Sequence, residues 1–468
     1  MTLFSLREAA ALIPGATVTG DGDIAFERVS TDSRTAGPGD LFVALKGERF
    51  DAHDFLTDVA ARNVSAALVA RTPADWQTPA IRVADTRVAL GQLARGWRRR
   101  FAIPLVAVTG SNGKTTVKEM IASVFAAAVG QDARLSTAGN FNNDIGLPLT
   151  LLRLAPAHRL AVIELGMNHP GETGTLARIA APTIALVNNA QREHQEFMAT
   201  VEAVALEHAS VIHALGPDGV AVFPADDKYA GIWRVAATGN RIVDFALNDD
   251  GRATPAAVTG TTHGGVLAID TPAGRIEVRL RALGAHNARN ALAATAVALA
   301  AGVAPDAIRA GLEAFEPVKG RLQVKRAALA SLAGAMLIDD TYNANPDSMR
   351  AAIDVLAQCA APRVLVIGEM GEVGDEGPAF HREIGAYARE RGIDALYATG
   401  EATRDACTAY GAAARHFDEV GALVEALDAA RYGAAATVLV KGSRYTRMER
   451  VVDALTNQPA SGTAPGAH

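Results

Sequence analysis

Cysteine is nearly absent from this chain. Its 468 residues include two, Cys359 and Cys407. They have no metal-ligand spacing and could not staple a chain of this length, so a disulfide scaffold is excluded and a reducing, cytoplasmic compartment is expected. Long apolar runs are also missing. The longest, Ala291 to Ala304, is Ala-rich and carries Thr295 and Gly302. It falls short of the roughly 20 residues that cross a bilayer and reads as a buried helix, so no membrane span is expected. The opening Met1-Thr-Leu-Phe-Ser-Leu-Arg-Glu lacks a basic stretch before an apolar core, and no signal peptide is expected. Neither sign of charge dominates. Forty-five Lys and Arg against 51 Asp and Glu give −6, which argues against a broad basic surface and hence against nucleic acid as a partner. The local exception, Arg95-Gly-Trp-Arg-Arg-Arg100, suits an exposed helix end or a domain joint. Aromatics are scarce at 5%, while 43 glycines, 49% apolar and 21% charged residues describe an α/β chain with many tight turns. The length suffices for about three domains.

The densest chemical signal is Val106-Ala-Val-Thr-Gly-Ser-Asn-Gly-Lys-Thr-Thr116. A β-branched run ends at Thr109. Gly110 and Gly113 then flank Ser111 and Asn112, and Lys114, Thr115 and Thr116 open an amphipathic pattern. Glycines let backbone N–H groups turn inward around phosphate oxygens. The helix start adds unpaired donors and the positive end of its dipole. Lys114 supplies a mobile cation for the outer phosphates, and Thr115 a hydroxyl for Mg²⁺. The full pattern G-x-x-x-x-G-K-[ST] would place its first glycine at position 108, where Val108 stands. ATP or GTP use is expected. The loop alone does not say what the nucleotide drives.

Three segments follow along the chain. Residues 1–100 alternate short strand and helix patterns, with a buried strand over Leu41–Leu45. Residues 101–315 carry strand-like runs at Leu160–Leu165, Thr183–Asn188 and Gly219–Phe223 separated by helical patterns, as in a parallel sheet with crossover helices. Within them, 251–283 reads as a small antiparallel insertion, and a helix from Asn287 closes the segment. Residues 316–456 repeat the alternation, with strands at Ala335–Asp339, Arg363–Ile367, Ala395–Thr399 and Thr437–Val440. That is a second doubly wound unit, whose ligands belong beyond the carboxyl ends of its strands. Residues 457–468 are small and polar and read as a disordered tail.

Several residues stand where chemistry could be done. Glu164 ends an apolar strand in the same sheet as the glycine loop, placed either to meet Mg²⁺ or to cap a turn. His194 follows the next strand, and a lone histidine is equally at home in a structural hydrogen bond. Asn140, Asn142, Asn143 and Asp144 could read a polar substrate or cap the helix that follows. Asn287 suits an N-cap. Lys319-Gly-Arg-Leu322 lies at a segment joint, within reach of a phosphate if the segments close. Asp340 could accept from a ribose or form a turn. Ser30 to Arg34 and Lys46-Gly47 could hold an anion or simply make turns.

Taken together these stretches resemble the Mur ligase family across nearly the whole chain. The matching residues are Ser30-Thr-Asp-Ser-Arg34, Gly39-Asp-Leu-Phe-Val-Ala-Leu-Lys-Gly47, Thr109 to Thr116, Asn140-Phe-Asn-Asn-Asp-Ile-Gly-Leu-Pro-Leu149, Glu164-Leu-Gly-Met167, His286-Asn287, Gly320-Arg321, Asp340-Thr-Tyr-Asn-Ala-Asn-Pro346, Gly368-Glu-Met-Gly371 and Val440-Lys-Gly-Ser-Arg444. The Asp-Thr-Tyr-Asn-Ala-Asn-Pro form points to members that add D-alanyl-D-alanine, and the Asp-Asn-Pro-Arg motif of diaminopimelate-adding relatives is absent. The resemblance implies an α/β fold of three domains: a small UDP-binding domain, a central P-loop ATPase domain and a C-terminal Rossmann-like domain. It implies an ATP- and Mg²⁺-dependent amide ligase, expected to act as a monomer, on UDP-N-acetylmuramoyl-tripeptide and D-alanyl-D-alanine through an acyl phosphate. Ser30, Thr31, Ser33, Arg34, Lys46, Gly47, Asn142 and Asn143 become substrate contacts. Thr109 to Thr116, Asn287, Arg321 and Asp340 face ATP, with Asp340 on the ribose. Lys114, Glu164 and His194 become catalytic, and Thr115, Glu164 and His194 metal-site residues. Relatives commonly carry a carbamylated lysine for a second Mg²⁺ at the position of His208, and Glu207, or water, is expected to supply the missing charge. Another Mur-type or folylpolyglutamate-type ligase, or a nucleotide-driven binding module, are the competing readings.

Overall fold

The computed structural model describes residues 2–193, 195–249, 251 and 253–456. The tail expected to be disordered lies outside them. The molecule is α/β throughout, and its sheets fall into three successive regions of the chain. In the first, the strands Thr17–Thr19, Ala80–Arg82, Ala66–Val69, Asp40–Val43 and Arg28–Ser30 lie side by side in that order. All neighbours are parallel except the first pair.

The central sheet runs Arg241–Ile242, Val220–Val222, Ile184–Val187, Leu105–Thr109, Leu160–Glu164, Arg134–Ser136, parallel at every step. Leu105–Thr109, Leu160–Glu164 and Ile184–Val187 are buried along their whole lengths, as strands covered by helices on both faces must be. From Leu105–Thr109 the chain goes outward to Arg134–Ser136, returns to Leu160–Glu164, then crosses to Ile184–Val187 on the other side. The crossovers diverge at the carboxyl end of Leu105–Thr109, and such a switch point opens a crevice. The register places Glu164 beside Val108 and Val187 beside Thr109. The helix Lys114–Val129 starts at that crevice and buries Val117, Met120, Ile121, Val124 and Phe125, an i, i+3, i+4 stripe. That stripe shares one core with the Ala-rich helix Ala285–Ala300.

The expected insertion is there but starts earlier. Phe245–Leu247, Val258–His263, Val266–Thr271 and Gly274–Val278 form a four-stranded sheet. Its first pair is parallel and only the rest antiparallel. The Ala-rich helix begins at Ala285 rather than Asn287. The third sheet orders Gln323–Arg326, Met336–Asp340, Thr437–Lys441, Arg363–Ile367, Ala395–Thr399 and Ala414–Phe417, parallel but for the first strand. Asp340 and Lys441 end adjacent strands in register.

The arginine cluster departs from a purely exposed helix end. Arg98 is buried, donating to the carbonyls of Phe101 and Ile103, while Arg100 lies 4.2 Å over the Phe4 ring. Both cysteines are free thiols. Among the described residues no helix is long and apolar enough to cross a membrane.

Candidate active site

One large cleft, about 1640 Å³, opens where the central switch point meets the carboxyl ends of the third sheet. Ser111 to Thr116 form part of its wall. Gly110 has φ +137° and Gly113 φ +78°, backbone that L side chains rarely adopt. A Cβ on Gly113 would stand 2.8 Å from Asn290 Oδ1 and 3.0 Å from Asn188 Nδ2. Gly113 occupies the N-cap position, and no side chain caps that helix, so its first N–H groups and dipole point to whatever the cleft holds.

The loop is braced by the segment that follows Ile184–Val187. Asn189 Oδ1 accepts from Asn112 N at 2.9 Å, and Asn188 and Asn189 each donate to Asn112 O at 2.9 Å. Gln191 N donates to Ser111 Oγ at 2.9 Å. Asn188 also donates to Asn290 Oδ1 at 2.9 Å, and Asn290 to Asn287 Oδ1 at 3.0 Å. This chain of amides ties the phosphate loop to the Ala-rich helix. Asn287 is therefore not the expected N-cap. It sits in the helix's first turn behind the cap Gly284 and donates to Leu283 O at 2.8 Å.

Lys114 Nζ lies 2.5 Å from Gly110 O, 3.3 Å from Ser111 O and 3.3 Å from Glu193 Oε2. Glu193 is 5% exposed, and its other oxygen meets His208 Nε2 at 3.0 Å. His208 is fully buried and its Nδ1 meets Thr109 Oγ1 at 2.9 Å. The expectation for Glu207 fails here. Its carboxylate accepts from Gly171 N and Thr173 N, both at 2.9 Å, and so caps the helix Glu172–Ala180. The carboxylate beside His208 is that of Glu193. His194 lies outside the described residues.

Glu164 does not cap a helix. It is buried at its strand end, where Oε1 accepts from Asn142 Nδ2 at 2.9 Å and Oε2 has no hydrogen-bond partner among the described residues. A buried, orphaned carboxylate oxygen beside a phosphate loop with a Thr115 hydroxyl is a hard-oxygen donor set, which fits Mg²⁺. Among the described residues no three acidic, His or Cys side chains form a metal cage. Mg²⁺ rarely uses one, taking one or two carboxylates with phosphates and water. Asn143, by contrast, accepts from Ile145 N and Gly146 N at 3.2 and 2.8 Å, shaping the next turn.

The opposite wall comes from the third sheet. Lys441 Nζ donates to Asp340 Oδ2 at 2.6 Å, and Asp340 Oδ1 accepts from Leu322 N at 3.2 Å. Arg321 stacks 4.1 Å above the Tyr342 ring. Burial pushes His286 down to about 4, with Asp340 pulling up and Lys441 pushing further down, so the imidazole is neutral at neutral pH. Two contacts close the cleft. Asn345 Nδ2 donates to Asn112 Oδ1 at 2.9 Å. Arg192 binds Asp347 and Glu383 with four side-chain bonds of 2.6–3.1 Å, and its backbone N donates to Asp347 at 2.8 Å. From the first region, Arg87 reaches Asp144 at 3.2 Å on the cleft's edge.

Residues 25–98 match the family described as Mur ligase family, catalytic domain; 108–298 the Mur ligase middle domain; and 320–444 the Mur ligase, glutamate ligase domain. The UDP-N-acetylmuramoyl-tripeptide--D-alanyl-D-alanine ligase of Escherichia coli (strain K12) is 42% identical, covering 92% of this chain and 94% of the relative. The chain belongs to the Mur ligase family. A crystal structure of MurF from Acinetobacter baumannii superposes with TM-score 0.88 at 35% identity, covering 97% of this chain and 99% of that one. MurF ligase from Thermotoga maritima, in complex with ADP, gives 0.80 at 25% identity over 92% and 96%. The fold is thus the three-domain α/β fold of these ligases.

In this Mur ligase, Ser111 to Thr116, Asn142, Asn143, Glu164, Asn287, Arg321 and Asp340 all line the one cleft. Ser30, Thr31, Ser33, Arg34, Lys46 and Gly47 do not. Arg34 is exposed and forks onto Asp32 at 2.9 and 2.8 Å, holding that carboxyl down at about 2. The sequence reading missed Asn188, Asn189, Gln191, Arg192 and Glu193. Their signal was a polar run directly after a buried strand beside the phosphate loop, at the sheet edge where open parallel sheets bind ligands.

Proposed function

We propose that this Mur ligase joins D-alanyl-D-alanine to UDP-N-acetylmuramoyl-tripeptide in peptidoglycan precursor synthesis, in the cytoplasm, using ATP and Mg²⁺. The relative from Escherichia coli named for that reaction, alike over nine-tenths of both chains, carries this reading. Residues 1–100, 101–315 and 316–456 serve as its three domains, for the UDP moiety, for ATP, and for closure over ATP with dipeptide binding.

A carboxylate is a poor electrophile. Phosphorylation by ATP turns the tripeptide carboxylate into an acyl phosphate. The dipeptide amine attacks it, and phosphate leaves from the tetrahedral intermediate. The loop amides of Gly110–Thr116 and the ammonium of Lys114 collect the charge on the transferred phosphoryl group by position rather than by covalent chemistry. Lys114 must first leave Gly110 O and Glu193, both within 3.3 Å. Glu164, Thr115 and His194 would hold Mg²⁺, which supplies charge neutralisation between the phosphates. Asn142, bonded to Glu164, aims that carboxylate. Asn287, Arg321 and Asp340 face the nucleoside, Asp340 toward the ribose, and the Arg321–Tyr342 stack offers a flat cationic surface to a base. Arg34 exchanges Asp32 for an anionic part of the UDP precursor, with Ser30, Thr31, Ser33, Lys46 and Gly47 around it. Asn142 and Asn143 reach the peptide end. Closure through Arg192 and Asn345 excludes water, which would hydrolyse the acyl phosphate.

The test is an incubation with ATP, Mg²⁺, UDP-N-acetylmuramoyl-tripeptide and D-alanyl-D-alanine, read by product mass. The expected product is the pentapeptide precursor with one phosphate released per bond. Phosphate release independent of the dipeptide, or ligation of a single amino acid or glutamate instead, overturns the reading.

A further inference from the structure

We infer that Lys118 and Thr137 are positioning residues for the metal site, tying the Glu164 carboxylate and the loop that carries Asn142 to the phosphate-binding helix. The inference rests on the ATP- and Mg²⁺-dependent reading above. Lys118 lies one turn beyond Lys114 on the helix Lys114–Val129, and its side chain is fully buried. Burying an ammonium is costly unless it is both paired and hydrogen-bonded. Lys118 meets both conditions. Its Nζ contacts the carboxylate of the neighbouring Glu119 and donates to Thr137 O at 2.9 Å. A helix that needed only to pack would bury an apolar side chain here, as it does at Val117, Met120 and Ile121.

Thr137 directly follows the strand Arg134–Ser136 and is 1% exposed. Both of its oxygens are engaged. The carbonyl takes the Lys118 ammonium, and Oγ1 accepts from Glu164 N at 3.0 Å. From Thr137 the chain leaves the sheet and turns back on it. Asn142 Nδ2 then donates to Glu164 Oε1 at 2.9 Å, and Asn142 O accepts from Gly166 N at 2.7 Å. A Cβ on Gly166 would stand 2.9 Å from Asn142 Oδ1, so this return has no slack. One loop thus holds Glu164 twice, by its backbone N at the loop's root and by Oε1 farther along. Lys118 anchors the root. Oε2, which has no hydrogen-bond partner among the described residues, is the oxygen left for a cation. Partners that orient a ligating carboxylate set metal affinity along with the ligand itself. Lys114 and Lys118 share one helix, so the cation for the phosphates and the carboxylate for the metal are referred to the same rigid element.

The experiment titrates ADP into the full chain by calorimetry, once with Mg²⁺ and once with EDTA. It counts bound Mn²⁺ in the presence of ADP by electron paramagnetic resonance and follows urea unfolding. Lys118→Met keeps the buried stem and removes the ammonium. Thr137→Val keeps the shape and removes the hydroxyl. Each is expected to weaken Mn²⁺ and Mg²⁺–ADP binding about 10–100-fold, while ADP in EDTA binds as it does to the unsubstituted chain. Thr137→Ser, which retains the hydroxyl, keeps the unsubstituted Mn²⁺ affinity. A merely structural role would lower the urea midpoint and leave metal affinity alone. Unchanged Mn²⁺ affinity in folded Lys118→Met or in Thr137→Val overturns the inference, and so does an equal loss of ADP with and without metal. The Thr137 pair decides the matter even where Lys118→Met fails to fold. An unsubstituted chain that binds no ADP, or whose Mn²⁺ affinity is unmoved by Glu164→Gln, would instead overturn the reading on which the inference rests.

Discussion

Replacing Arg192 by alanine tests whether the cleft is held shut by one guanidinium. Arg192 lies in the middle domain, and its partners belong to the third: Asp347 in the first turn of Pro346–Ala357, and Glu383 in Gly377–Glu390. Burial alone would lower its pKa, but Glu383 and Asp347 outweigh that and hold it above its ordinary value. The side chain is 23% exposed, with partners at 24% and 30%, so each charged bond is partly screened. Four charge-assisted bonds at full strength would exceed any realistic total, because they share one side chain and are partly solvated. We take about 2–3 kcal/mol for the whole latch. In a separated arrangement all three side chains are solvated, so the whole loss falls on closure. The closed-to-open ratio should then drop about 30- to 150-fold. Small-angle X-ray scattering should show a larger radius of gyration, and kcat/KM should fall while each domain keeps its own thermal transition. Arg350 remains 3.2 Å from Glu383 but is on the same side as the carboxylates and cannot replace the bridge. Unchanged scattering together with unchanged kcat/KM would refute the argument.

Three further outcomes are expected. Gly113→Ala adopts φ +78° with a Cβ 2.8 Å from Asn290; it should lose at least about 1–2 kcal/mol of stability by denaturant unfolding and most of its ADP affinity, and a variant equal to the parent in both would remove the steric claim. Lys114→Ala should cut ligation by at least about 10²-fold with an unchanged circular dichroism spectrum; retained turnover takes Lys114 out of the mechanism. His286 has a folded pKa near 4, below its usual value of 6.5, so between those values the unfolded chain binds the proton and the folded one does not. Stability should therefore rise with pH across roughly 4 to 6.5 and be flat in this contribution above it. His286→Gln should lessen that slope in urea midpoints, and an identical slope would contradict the assignment.

The linear chain by itself determined the element types. Parallel strands covered on both faces must be continuous apolar runs, so Arg363–Ile367 and Ala395–Thr399 were legible to the residue. The helix start at Lys114 was legible from the glycines before it. Glu164 was readable as a strand-end carboxylate, because strand ends meet at one edge of a parallel sheet. What the sequence left open were roles that depend on which ends become neighbours. Asn287 looked like a cap and became a link in an amide chain through Asn290 and Asn188. Glu207 and Glu193 are both near His208 in number, yet only the tertiary structure decides between them. One lies on the helix Val201–Ala209 and turns to a neighbouring helix start, while the other comes from the loop after Ile184–Val187 and pairs with Lys114. Hydrogen-bond partners far apart in the chain, such as Asn112 and Asn345, separated by 233 residues, have no local signature, since short-range propensity carries no information about which loops the packed sheets bring face to face.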